Sequence, residues 1–243
     1  MNIHFLLGIP RAGNTLFGSL MNQNHNVKMT ANSALPLIIN NILQTKEHSL
    51  YWNFPDPRGI DNIIQNIFKN YYEPLNVNHV LDRGAWGLPY LSNITKQLVK
   101  DRKYVILYRP ILECLASFAK IDKPKDVHKY CDEHMQHSII SQNLESVRNI
   151  CNSNEKFKVV YYEDLCKDPI AQIKDTCNFL DIPYIEPDLF NIKQFSVDGY
   201  KYSDNTFHPI RTHEVKKEQL HIEDYLSIDI IDKYKDYEVK FND

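Results

Sequence analysis

The sequence predicts a single α/β domain over residues 1–243, with a central, mainly parallel sheet flanked by helices. Three observations carry this. Short apolar runs of strand length alternate with segments whose apolar residues recur at helical spacing, the pattern of parallel strands joined by crossover helices. The run Tyr104-Val105-Ile106-Leu107-Tyr108 is apolar throughout, as a strand covered on both faces must be. Finally, Gly8 and Gly13 frame the turn between the first strand and the first helix, in a chain with only 7 glycines.

Taken in order, Ile3 to Leu7 is the first strand, and a helix from about Thr15 follows with Leu16, Leu20 and Met21 on one side. Leu35 to Gln44 is helical, as is the stretch carrying Ile60, Ile63, Ile64, Ile67, Phe68 and Tyr71, whose spacing marks one face. His79-Val80-Leu81 is a short strand, Leu88 to Val99 a helix, and Tyr104 to Tyr108 the third strand. Ile111 to Ala119 and roughly Val127 to Cys151 are helical, Lys158 to Tyr161 is a strand, and Ile170 to Leu180 a helix. From residue 183 to 221 the periodicity dissolves among aromatic, Pro and charged residues, which predicts a long ordered loop covering the site. In a sheet of this kind ligands bind at the carboxyl ends of the strands.

Composition bounds the function. With 43% hydrophobic and 24% charged residues the chain supports a packed core. Its 28 Lys and Arg against 31 Asp and Glu give a formal charge of −3, so there is no basic field for nucleic acid. No apolar run approaches the roughly 20 residues of a membrane-spanning helix, and Met1 leads almost directly into Ile3 without a signal-peptide pattern. These features predict a soluble, cytoplasmic protein without membrane insertion. Cys114, Cys131, Cys151, Cys166 and Cys177 are odd in number and form no CxxC, which favours reduced thiols.

The turn Gly8-Ile9-Pro10-Arg11-Ala12-Gly13-Asn14-Thr15 has the G-x-x-x-x-G-x-[ST] frame of a P-loop-like phosphate cradle, in which backbone amides converge at a helix N-terminus. A nucleoside triphosphatase carries Lys after the second glycine; here that residue is Asn14, and the positive charge sits at Arg11 inside the loop. The bland alternative is a tight turn with Arg11 in solvent. Arg109 follows the Tyr104–Tyr108 strand, where a guanidinium points into the ligand crevice, and Ser117 lies on the next helix. Folded back, Arg109 would share one phosphate with the Ser117 hydroxyl.

These segments, with Tyr161-Tyr162-Glu163-Asp164-Leu165 before Asp168-Pro169, resemble the sulfotransferases that use 3'-phosphoadenosine 5'-phosphosulfate (PAPS). The family's P-[KR]-[SA]-G-[TN]-T-L loop, which binds the 5'-phosphosulfate, corresponds to Pro10, Arg11, Ala12, Gly13, Asn14, Thr15 and Leu16. Its R-x7-S element, which holds the 3'-phosphate, corresponds to Arg109 and Ser117, and the tyrosine beside the adenine to Tyr162. The resemblance covers most of Ile3 to Pro169. It implies PAPS as donor, 3',5'-adenosine diphosphate (PAP) as product, no required metal, and an in-line transfer of a sulfuryl group to a hydroxyl on a small-molecule, carbohydrate or peptide acceptor. Arg11 would neutralise charge in the transition state. Lys201 and Arg211 lie where the family closes a basic loop over the nucleotide.

A hydroxyl acceptor needs a general base. The Glu that tyrosylprotein sulfotransferases use some twenty residues after the loop Arg falls here at Asn32, which takes no proton. Asp82, at the end of the Val80-Leu81 strand, is the replacement, set against a plain capping role; His48 and His79 are weaker candidates. Tyr51, Trp52, Phe54, Tyr71, Tyr72, Trp86 and Tyr90 would either wall an acceptor pocket or fill the core. Cys131, His134 and His137 recur at three-residue spacing but walk off a common helical face, which argues against a metal site. Two alternatives stay open: a P-loop nucleotide or small-molecule kinase with Asp82 on magnesium, and a non-catalytic nucleotide-binding protein.

Overall fold

A computed structural model describes residues 1–53, 55–136, 138–194, 196–197, 200–201 and 214–241. The first strand, β1 (Asn2–Gly8), leads through the glycine-framed turn into α1 (Asn14–Met21), then β2 (Val27–Met29). An excursion of α2 (Leu35–Thr45), α3 (Ser49–Asn53) and α4 (Pro57–Tyr72) returns to β3 (His79–Arg83). There follow α5 (Pro89–Leu98), β4 (Tyr104–Tyr108), α6 (Ile111–Asp122), α7 (Val127–Gln136), α8 (Ile139–Cys151) and β5 (Phe157–Tyr161). The chain continues with α9 (Tyr162–Lys167), α10 (Pro169–Leu180), β6 (Ser196–Val197), β7 (Tyr200–Lys201) and α11 (Ile228–Tyr234).

Strands β1 to β5 form one parallel sheet in the order β2-β3-β1-β4-β5, which bears out the expected α/β class. The central strand β1 pairs with β3 (Phe5 opposite Asp82) and with β4 (Gly8 opposite Leu107), so the turn leaving it opens between the carboxyl ends of its two neighbours. All of β4 is buried, as its unbroken apolar run requires. On one face of the sheet the rings of Phe5, Phe68, Trp86 and Tyr104 lie 4.9–5.9 Å apart and lock α4 against β1.

The elements differ from the sequence reading in several places, the short α3 among them. Three-residue β2 at the sheet edge was too short to show a pattern, and it makes Tyr104–Tyr108 the fourth strand in chain order rather than the third. The stretch from Val127 to Cys151 is two helices, because Ser138 takes an extended backbone and caps α8. Helix α9 follows β5 directly, with Glu163 and Asp164 in its first turn favoured by the helix dipole. Finally, α11 and the chain after it pack on the sheet's end, where the Glu238 carboxylate accepts the Ile111 amide of α6 and the Tyr108 hydroxyl. In the 183–221 segment, the described residues contain the short β6–β7 hairpin and irregular chain. Among the described residues no helix is long and apolar enough to cross a membrane.

Candidate functional site

The turn after β1 is built from inside. Asn14 donates from Nδ2 to the Ile9 carbonyl at 2.8 Å, folding its side chain under the loop where a Cβ on Gly8 would lie 1.6 Å from Asn14 Oδ1. The Asn14 side chain therefore braces the loop, while its amide stays at the N-terminus of α1. Gly13 sits at φ +84°, a left-handed conformation that costs an L-residue, and Ala12 is wholly buried. Arg11 also takes a positive φ, +70°, which aims its side chain along the strand ends toward β4. Thr15 and Leu16, in the first turn of α1, are half-buried.

That aim brings the predicted anion residues together. Arg11 Nε donates to Ser117 Oγ on α6 at 3.1 Å, across 106 residues of chain. Arg109 Nη1 donates to the Arg11 carbonyl at 3.2 Å, and its Nε donates to Glu113 Oε2 at 2.8 Å, an i,i+4 pair that fixes the guanidinium on α6. Arg109 is 2% exposed, its guanidinium lies 4.5 Å from the centre of the Tyr162 ring, and its Nη2 is buried without a hydrogen-bond partner. Burial of an unpaired guanidinium nitrogen is costly, and an acceptor brought to Nη2 would relieve that cost. The Tyr162 ring also packs against Gly13: a Cβ there would lie 2.9 Å from Tyr162 Cδ2. Loop, strand end and aromatic plate thus form one crevice.

Ser117 engages Arg11 directly, and Arg109 ties down the loop's backbone, an exchange of roles that sequence spacing did not reveal. Two further charged groups reach the crevice. Lys120, one turn beyond Ser117 on α6, and Glu218, from the irregular chain after β7, are paired at 2.9 Å. The i+3 spacing from Ser117 could have flagged Lys120; nothing in the sequence around Glu218 marks it. Lys201 lies on β7, and Arg211 lies outside the described residues.

The other candidates separate by place. Asp82 is wholly buried near the carboxyl end of β3, and Thr30 Oγ1 donates to its Oδ1 at 2.7 Å while accepting the Arg83 amide at 2.8 Å. Burial raises its pKa to about 6, against the opposing pull of Tyr72, Thr30, Ser33 and Trp86. Arg83 Nη1 donates to the Ala31 carbonyl and the Ser33 amide bonds the Arg83 carbonyl, which seats the chain around exposed Asn32 on the same strand ends. His79 begins β3, at the opposite end of the sheet, where its ring stacks on His4; it is a core histidine. His48 is exposed and accepts the Leu50 amide as a local cap.

Tyr72 and Trp86 belong to the core, Trp52, Tyr71 and Tyr90 are exposed, and Tyr51 is half-buried; Phe54 lies outside the described residues. Cys131 is buried in the core and His134 stacks on Phe118, while His137 lies outside the described residues. Among the described residues no group of three or more His, Cys, Asp and Glu is placed to hold a metal.

A family profile described as "Sulfotransferase domain" matches residues 3–227. The chain belongs to the sulfotransferase family. This sulfotransferase also shares its fold with solved structures. The sulfotransferase domain from the Synechococcus PCC 7002 olefin synthase matches with TM-score 0.58 at 16% identity, covering 97% of this chain and 94% of that one. The sulfotransferase domain from the curacin biosynthetic pathway matches with TM-score 0.54 at 15% identity, covering 99% and 93%. A sulfotransferase from Alicyclobacillus acidocaldarius matches with TM-score 0.54 at 14% identity, covering 77% and 83%. No curated protein matches the sulfotransferase by sequence.

Proposed function

We propose that this sulfotransferase takes its sulfuryl group from PAPS and transfers it in line to a hydroxyl acceptor, a sugar, a tyrosine or a small alcohol, in the manner of the EC 2.8.2 enzymes. One observation carries the reading: Arg11 spans from the glycine-framed loop to Ser117 while Arg109 holds the Arg11 carbonyl, so the two segments assigned to anions meet at the same strand ends. A donor with a 5'-phosphosulfate and a 3'-phosphate needs two such segments within reach of one molecule. The buried, unpartnered Arg109 Nη2 and the Tyr162 ring between Arg109 and Gly13 fit its 3'-phosphate and adenine. The acceptor, like the cytoplasmic location, belongs to this proposal; the biosynthetic setting named for one neighbour favours a small molecule.

Bound there, the donor supplies a sulfuryl group on a phosphate leaving group. The amides of Gly13 to Leu16 would receive the 5' end at the N-terminus of α1, with Thr15 Oγ1 as an added donor, while the Ala12 amide is held by the Ile9 carbonyl at 3.1 Å. Arg11 neutralises the charge that gathers on the bridging oxygen and on the equatorial sulfuryl oxygens as the bond breaks. Arg109 and Ser117 would grip the second phosphate, with Tyr162, stacked on Arg109, beside the base; Lys201 and Arg211 are assigned to the nucleotide by the family resemblance alone. Asp82 is the base we assign, reached through Thr30: the hydroxyl of Thr30 takes the acceptor's proton as it passes its own to Asp82 Oδ1. A carboxylate with a pKa of about 6 is ionised at neutral pH and still able to hold that proton.

Transfer of labelled sulfate from PAPS to a panel of hydroxyl acceptors tests this reading, together with calorimetric titration by PAP and by MgATP. Tight, metal-independent PAP binding is expected, and Arg11→Ala should lose at least about a hundredfold in turnover, the worth of one preorganised oxyanion donor. Binding of MgATP alone would overturn it in favour of a kinase, and PAP binding without transfer to any acceptor would leave a nucleotide-binding protein.

A further inference from the structure

The chain after β7 returns across the crevice at residues 214–221. The Glu218 amide donates to the Tyr162 hydroxyl at 3.3 Å, and Lys217 pairs with Glu163 of α9 at 2.7 Å. Between these contacts the Glu218 carboxylate turns inward: Oε1 accepts Lys120 Nζ at 2.9 Å and Oε2 lies 4.0 Å from Arg109 Nη1. Its side chain is only 20% exposed. Lys120 and Ser117 stand one turn apart on α6, and the buried Arg109 keeps its Nη2 unpartnered. A negative group contributed by the protein itself therefore stands among the cations that face the second anion segment.

We propose that Glu218 is the resident counter-ion of this segment and a determinant of donor selectivity: a phosphate dianion reaching Arg109 and Lys120 takes the place of its carboxylate and moves the 214–221 strap outward. The inference rests on the reading above that Arg109 and Ser117 receive a phosphate. Two anions cannot share Lys120 and Arg109 at these distances without mutual repulsion, least screened at Arg109, whose side chain is 2% exposed. Displacing Glu218 costs affinity for every ligand that carries a charge there, and only a dianion that takes up Arg109 Nη2, Lys120 and the Ser117 hydroxyl together recovers that cost. A nucleotide with a bare 3'-hydroxyl brings no charge to the segment and leaves Glu218 in place. The carboxylate thereby screens the site against monoanions such as chloride and sets how tightly product is held after transfer.

The test compares the intact wild-type chain with Glu218→Gln and Glu218→Asp by calorimetry at fixed ionic strength, using PAP, AMP and inorganic phosphate as probes. Glu218→Gln should bind PAP at least roughly tenfold more tightly than wild type, while AMP affinity stays within about twofold. Glu218→Asp, which keeps the charge, should retain wild-type affinity for PAP. Amide hydrogen exchange at residues 214–221 should accelerate in the wild type on adding PAP and stay unchanged with AMP. If Glu218 merely braced Lys120, Glu218→Gln would bind PAP equally or more weakly, and either result overturns the proposal. Where PAP binds none of the three proteins but phosphate binds Glu218→Gln at least about tenfold tighter, the counter-ion role stands and the nucleotide reading falls. Phosphate affinity unchanged by Glu218→Gln in that case refutes both.

Discussion

Replacing Gly13 with alanine perturbs the turn at the point where backbone and aromatic plate meet. Two costs add. The residue sits at φ +84°, which an L-side chain adopts only at about 1–2 kcal/mol. The new methyl would lie 2.9 Å from Tyr162 Cδ2 and 3.2 Å from Cε2, so the ring must retreat. It is not free to do so, because the Arg109 guanidinium stacks on it at 4.5 Å and its hydroxyl holds the Glu218 amide. Overpacking of this kind costs about 1–3 kcal/mol, for about 2–5 kcal/mol in all. In a chain of this length that lowers the melting temperature by roughly 4–20 °C. Differential scanning calorimetry and urea unfolding of Gly13→Ala measure it, and a Tyr162→Ala double-mutant cycle divides it. With the ring gone the alanine should cost only the backbone share, a non-additivity of at least about 1 kcal/mol. Equal stability of Gly13→Ala and wild type, or strict additivity with Tyr162→Ala, refutes the account of how loop and ring are fitted.

Ser117→Ala removes the acceptor of the Arg11 Nε hydrogen bond, and a lost bond to a charged group, worth about 1.5–3 kcal/mol, should weaken PAP binding roughly ten- to a hundredfold by calorimetry. Burial lifts the Asp82 pKa from the ordinary 3.8 to about 6, so its contribution to stability is full below pH 4 and is lost as pH rises through 6. Asp82→Asn should accordingly gain about 3 kcal/mol on wild type between pH 4 and pH 7 in urea unfolding; a parallel pair of curves would show that the carboxyl titrates normally. His4 runs the other way: desolvation, with His79 beside it, lowers its pKa from 6.5 to about 4, so its contribution is present above pH 6.5 and lost as pH falls through 4. His4→Leu should therefore flatten the acid side of the stability profile by about 3 kcal/mol, and an unchanged slope would mean that another group governs it.

Much of this architecture was legible because its signals are local. A five-residue apolar run bounded by charged residues and Pro reads as a doubly covered strand, which placed Tyr104–Tyr108, and Gly8 and Gly13 framing a strand-to-helix turn marked the loop in which Gly13 takes φ +84°. The spacing of Arg109 and Ser117 pointed to one anion segment, since both flank the same strand-to-helix junction. Long-range pairings carried no such mark. Arg11 meets Ser117 only because β1 and β4 are neighbours, and Glu218 meets Lys120 only because the chain after β7 folds back over α6. Asp82 was found by its place at a strand end, whereas its complete enclosure depends on distant chain: Thr30 after β2, 52 residues away, and Tyr72 at the end of α4, with Trp86 from the turn after β3. His79 shows the reverse: a residue type suited to proton transfer, carried by strand direction to the far end of the sheet.

The position of α2 to α4 has an evolutionary consequence. These helices leave the sheet at its β2 edge and come back at β3, whereas the hydrogen bonds described for Arg11, Arg109, Ser117 and Tyr162 draw on β1, β4 and the chain that follows. Residues 35–75 are thus a partly separable module: a descendant could vary their exposed faces, and acquire a new clientele, while keeping Phe68 and Tyr72, which tie α4 to β1 and to Asp82.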